Sequence, residues 1–174
     1  MSRDLPAASP LAIVHRDDWL CAIRKPSGLL VHRTPLDRGE TRFAVQCLRD
    51  QIGRHVHPVH RLDRGTSGVL LFALDRDVAR ALGAQFEAGQ VAKRYVAVVR
   101  GHPAAEGTID YPLRRLRDDD GFESPGDAEG EPQRAVTHYR RLAIAELGHA
   151  VDRYPTSRYA LLELRPETGR RHQI

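Results

Sequence analysis

Apolar residues in this chain come in short runs set apart by turn formers, and strand-like and helix-like spacings are intermixed. Residues 11–14 and 20–23 form two apolar runs separated by His15-Arg16-Asp17-Asp18, which predicts two strands joined by a turn. Pro26-Ser27-Gly28 predicts a second turn. Over 42–51, Phe43, Val45, Cys47 and Leu48 recur among polar positions with Gly53 beyond, the pattern of a short helix with a glycine stop. Residues 55–60 read as extended. The branched and aromatic run at 69–73 predicts a buried strand, and Asp75 then stands as N-cap to a helix running through Glu87 and ending near Gly89. Residues 95–99 predict a second buried strand. Residues 114–133 hold seven carboxylates and few apolar side chains, so they are expected to form a mobile loop. Strands return at 137–145 and 159–165, before a turn at Thr168-Gly169. With neither a repeat nor strict strand–helix alternation, the expected architecture is α+β: a mixed, largely antiparallel sheet flanked by helices.

Composition narrows the class. The 174 residues are 41% hydrophobic, enough for one domain around one core, expected over 11–174 behind a disordered tail at 1–10. Positive side chains number 27 against 23 negative, and all but Lys25 and Lys93 are arginine. Arginine suits phosphate and base edges, although the bias equally fits the coding composition of the source. Two isolated cysteines, Cys21 and Cys47, have neither metal-site spacing nor the density of a disulfide scaffold. No apolar stretch suits a signal peptide or a membrane span, so a cytoplasmic protein without membrane contact is expected.

Three segments carry candidate chemistry. His60-Arg61-Leu62-Asp63-Arg64-Gly65-Thr66-Ser67-Gly68 lies between two predicted strands and sets one carboxylate between Arg61 and Arg64. Flanking guanidiniums keep such a carboxylate ionised, and the glycines permit close backbone approach. On composition alone, a surface loop with one structural ion pair explains it equally well. Lys93-Arg94-Tyr95 opens a strand, where a tyrosine stacks on a base beside phosphate-holding cations or simply joins the core. The third segment, from Arg165 through Thr168, Gly169, Arg170, Arg171 and His172 to Gln173, is a basic turn suited to anions. The nine histidines lack acidic or cysteine partners at ligand spacing, so no metal is expected. Hydrolase elbows, P-loops and dinucleotide fingerprints are absent as well.

In their order, and with Lys25-Pro26-Ser27-Gly28-Leu29-Leu30-Val31-His32 ahead of them, these segments resemble the RluA-type family of RNA pseudouridine synthases. The resemblance implies a pseudouridine synthase fold, an isomerase without cofactor, and RNA as partner. The text around Val31-His32-Arg33, Leu36-Asp37-Arg38, 134–140 and 153–159 is most similar to members acting on uridine at tRNA position 65, with large-subunit ribosomal RNA as the rival target. It further implies Asp63 as the catalytic carboxylate and Tyr95 packed against the flipped ring, where it takes the C5 proton. RNA contacts then fall to His60, Arg61, Arg64, Thr66, Lys93, Arg94, Arg170 and His172. A monomer is expected. In the family an arginine directly follows the HQI of the third segment and pairs with the aspartate. The sequence given ends at Ile174, so it is expected to be a catalytic domain cut short at its C-terminus and inactive in this form. A catalytically silent RNA-binding module and a structural protein with a basic face remain as alternatives.

Overall fold

The computed structural model describes residues 9–33, 39–114 and 131–174. Most of the expected tail at 1–10, most of the loop expected at 114–133, and Leu36-Asp37-Arg38 lie outside these described residues. The chain divides into two compact units, one to Gln90 and one from Val91. The sequence predicted one sheet, but each unit holds a four-stranded sheet of its own, and among the described residues the strands of both sheets pair antiparallel, with one isolated parallel bridge between Leu30 and Phe43.

In the first unit the spatial order is β1-β2-β4-β3, from β1 (Ala12–Arg16), β2 (Leu20–Lys25), β3 (His57–Pro58) and β4 (Gly68–Ala73). β2 lies centrally, paired with β1 and with β4, and Cys21, Ala22 and Ile23 are all buried in it. Side chains alternate across a strand. Lys25 therefore shares a face with Cys21 and Ile23, and it is fully buried there. Helix α1 (Ala44–Ile52) starts without a side-chain cap; instead Ala44 N–H and Val45 N–H donate to the carbonyls of Leu30 and Val31 at 2.8 and 3.0 Å. It stops at Gly53, whose φ of 65° is the left-handed conformation that only glycine takes without strain.

Asp75 caps α2 (Arg76–Glu87) as its position implied, accepting a hydrogen bond from Asp77 N–H at 2.7 Å. The backbone amides around Asp75 hold its carboxyl below the ordinary aspartate value, that of Asp77 first. Asp75→Ala is expected to lower the urea midpoint of unfolding without changing its slope. Because the cap needs the carboxylate, its contribution is present above the ordinary aspartate pKa and fades as pH falls through the lowered one.

The second unit orders its strands β5-β8-β7-β6, from β5 (Tyr95–Arg100), β6 (Glu106–Asp110), β7 (Val136–Leu147) and β8 (Ser157–Pro166). Ala160, Leu162 and Leu164 form its buried centre, with Tyr95, Ala97, Val99 and Tyr139 packed on it. β5 was expected to be buried. Only its odd-numbered face is covered, and Val96 and Val98 are 63% and 69% exposed on the other. β6 was not anticipated, since its single large apolar residue, Ile109, is itself exposed; pairing with β7 creates it. Gly107 of β6 lies under the Tyr139 ring, and a Cβ there would meet the phenol oxygen at 2.7 Å. Gly107→Ala is therefore expected to displace Tyr139 and cost about 1–3 kcal/mol in thermal unfolding.

Candidate active site

Asp63 sits half-buried in the loop between β3 and β4. The loop is fastened at several points. Leu62 is buried, and Thr66 N–H donates to the Asp63 carbonyl at 3.0 Å, closing a turn around the aspartate. From the Lys25-Pro26-Ser27-Gly28 turn, Gly28 N–H donates to the Arg64 carbonyl at 2.8 Å and Ser27 Oγ to the Gly65 carbonyl at 2.8 Å. Gly28 has φ 88°, so a side chain there would strain the turn that presents this amide.

The Lys25 ammonium completes the fastening. Its Nζ donates to the carbonyls of Leu29 at 2.7 Å, Pro26 at 3.1 Å and Arg64 at 3.3 Å. Three converging acceptors match the three donors of an ammonium, whereas a planar guanidinium fits such a cage poorly. Burial holds the ammonium below the usual lysine value, and the Asp63 carboxylate counters that shift. Lys25 is thus a charge partner of Asp63 that reading the sequence did not single out. The signal was available: in a chain otherwise arginine-rich, Lys25 is one of only two lysines.

The other residues of this loop divide by what they touch. Arg61 is exposed. Arg64, expected to compensate Asp63, pairs instead with the Glu40 carboxylate. His60 is tied into the scaffold: its Nε2 accepts from Leu71 N–H at 3.0 Å and its ring stacks on Phe86 of α2, centroids 4.7 Å apart.

In the second unit, Lys93 meets the basic turn after β8, while Arg94 and Tyr95 face β8 itself, at Glu163 and Leu164. Lys93 Nζ donates to the Thr168 carbonyl at 3.0 Å, and burial lowers its pKa. Both lysines of the chain thus hold loop carbonyls. Thr168 Oγ1 accepts from Val136 N–H at 3.0 Å and donates to Gln173 Oε1 at 2.9 Å. Gln173 Oε1 also accepts from Arg170 N–H, while its Nε2 donates to the Val136 carbonyl and Thr137 Oγ1 at 3.1 and 3.0 Å. The amide is fully used, and the turn is held in one shape. On it Arg170 and His172 are exposed, Arg170 Nε donating to the Arg134 carbonyl at 3.0 Å, and His172 takes φ 55°. Tyr95 is half-buried on the face carrying Leu164 and Leu162. Among the described residues, no group of three or more His, Cys, Asp or Glu is placed to hold a metal, and no helix is long and apolar enough to cross a membrane.

The first unit thus presents one carboxylate on a pinned loop whose neighbouring carbonyl is held by a buried ammonium, and the second unit separately presents a basic turn fixed by its own hydrogen bonds. Residues 20–174 match the RNA pseudouridylate synthase family, and the chain belongs to it. It is 56% identical over 166 residues to tRNA pseudouridine synthase C of Pectobacterium carotovorum subsp. carotovorum, covering 94% of this chain and 43% of that protein. It is 54% identical over 164 residues to tRNA pseudouridine synthase C of Pasteurella multocida, covering 94% of this chain and 67% of that one. The chain therefore spans about two fifths to two thirds of these relatives. Among solved structures, human RNA pseudouridylate synthase domain containing 4 superposes with a TM-score of 0.65 at 30% identity, over 93% of this chain and 61% of that one.

Proposed function

We propose that this protein isomerises uridine to pseudouridine in RNA, with tRNA as substrate and Asp63 as the essential carboxylate. The observation that carries the reading is the fastening of the Asp63 loop, where Lys25, Ser27 and Gly28 all engage carbonyls within two residues of the aspartate. The names borne by relatives at 54–56% identity support tRNA as the RNA.

The reaction detaches uracil at N1, turns it, rejoins it through C5 and releases the C5 proton. Bonds broken and formed balance, so neither a redox partner nor ATP enters the stoichiometry. Asp63 attacks sugar or base, or removes a ribose proton, and each route uses its carboxylate. N1 and C5 are unreachable in a stacked helix, so the nucleotide is extruded at a cost of a few kcal/mol. Arg61, exposed two residues before the aspartate, takes the vacated position. Tyr95 packs against the extruded ring and receives the C5 proton. Arg64, Thr66, Lys93, Arg94, Arg170 and His172 line the RNA path, and His60 supports the loop from behind. The protein works as a cytoplasmic monomer, residues 11–174 forming its catalytic domain. The test is tritium release from 5-tritiated uridine in tRNA and large-subunit ribosomal RNA transcripts, using the protein at full length. Release from tRNA is expected; release from ribosomal RNA alone transfers the assignment to that target, and none from either removes it.

A further inference from the structure

Two cations lie close to Asp63 in space or in sequence, and neither binds its carboxylate. The Lys25 ammonium commits its three donors to the carbonyls of Leu29, Pro26 and Arg64, so its charge reaches Asp63 while its protons do not. The Arg64 guanidinium, one residue along the chain, is bound by the Glu40 carboxylate. Among the described residues no hydrogen bond or ion pair engages the half-buried Asp63 carboxylate.

Glu40 is itself held in place. It precedes α1 in a segment anchored just after the Lys25-Pro26-Ser27-Gly28 turn, where buried Phe43 bridges Leu30, and Ala44 N–H and Val45 N–H donate to the Leu30 and Val31 carbonyls. The same turn pins the Arg64 and Gly65 carbonyls. Arg64 is thus held at both ends, its carbonyl by Gly28 and Lys25 and its guanidinium by Glu40, 24 residues earlier. With side chains 35% and 56% exposed, the Glu40–Arg64 pair adds little to stability. Its consequence is for Asp63. An unheld guanidinium one residue from a carboxylate competes for its oxygens, and a charge-assisted hydrogen bond there occupies the lone pairs that attack or proton removal requires. Glu40 gives Arg64 another carboxylate to bind.

We infer that Glu40 is a positioning residue of the reaction: by holding Arg64 it keeps the neighbouring guanidinium off Asp63 and leaves those oxygens open to the nucleotide. This rests on the reading of the protein as a pseudouridine synthase that works through Asp63. The test is single-turnover tritium release from 5-tritiated uridine in tRNA, at saturating tRNA and with the protein at full length. In E40Q the rate is expected to fall about tenfold while the thermal midpoint stays near that of the parent. E40D keeps the carboxylate and most of the rate. E40Q/R64Q removes the competitor together with its holder, so the rate climbs back toward the parent's while tRNA binds more weakly, a split between rate and affinity that a merely structural pair does not give. An E40Q rate within about twofold of an active parent overturns the inference and leaves the enzyme reading standing. A double variant as slow as E40Q does the same, since the pair then only supports the loop. A full-length parent that releases no tritium removes the enzyme reading, and the role of Glu40 with it.

Discussion

Asp63→Asn is expected to abolish pseudouridine formation, lowering turnover by about 10³-fold or more while leaving tRNA binding and the thermal midpoint nearly unchanged. The magnitude follows from removing a nucleophile or general base rather than a binding group. Stability should survive because the loop hangs on backbone groups: the Asp63 carbonyl still accepts from Thr66 N–H, and the Arg64 and Gly65 carbonyls keep their donors. Asparagine preserves shape and loses only charge. Tritium release by the full-length variant reads the effect, and turnover within tenfold of the parent would contradict any essential role for this carboxylate.

Lys25→Met should carry the second largest effect, on stability and activity together. Methionine fits the length of the buried stem but leaves the Leu29, Pro26 and Arg64 carbonyls without their donor. Each buried acceptor left unpaired costs about 1–3 kcal/mol, offset in part because no ammonium need be desolvated. A net loss of about 2–4 kcal/mol is a large share of the 5–15 kcal/mol by which domains are ordinarily stable. Activity should fall further than stability explains, since the Arg64 carbonyl is released and Asp63 loses its nearby cation. Urea unfolding and tritium release, both taken where the variant is folded, separate the two. Parent-like values in both assays would mean that the ammonium is incidental. A pH signature accompanies it: with its folded pKa lowered, Lys25 loses its proton earlier in the folded than in the unfolded chain. Stability contributed here therefore rises with pH in the window just below 10.5, and Lys25→Met removes that rise.

Much of the candidate site can be read from residue order alone, because its parts are local. The Asp63 loop, the Lys93-Arg94-Tyr95 strand start and the basic turn at 168–173 are contiguous segments whose residue types announce their chemistry. The helix signals were local too: Asp75 caps α2 and Gly53 ends α1 because each acts on amides or carbonyls a few residues away. His60 shows the limit. Its place in a functional segment suggested RNA, whereas its ring is engaged by Leu71 and Phe86, 11 and 26 residues further on.

The sequence by itself determined the α+β character, nearly all the elements, the loop that bears Asp63 and the kinship to the RNA pseudouridylate synthases. Tertiary structure alone decided that the sheet is divided in two, that β6 exists, and that β5 leaves one face open, since strands owe their partners to residues far along the chain. It also decided the role of Lys25. A lysine after an apolar strand reads as a surface residue until register with β4 turns it onto the face of Cys21 and Ile23 and brings the Arg64 carbonyl, 39 residues away, within reach of its ammonium. Charge compensation and burial are properties of neighbours in space, which a linear order of residues does not specify.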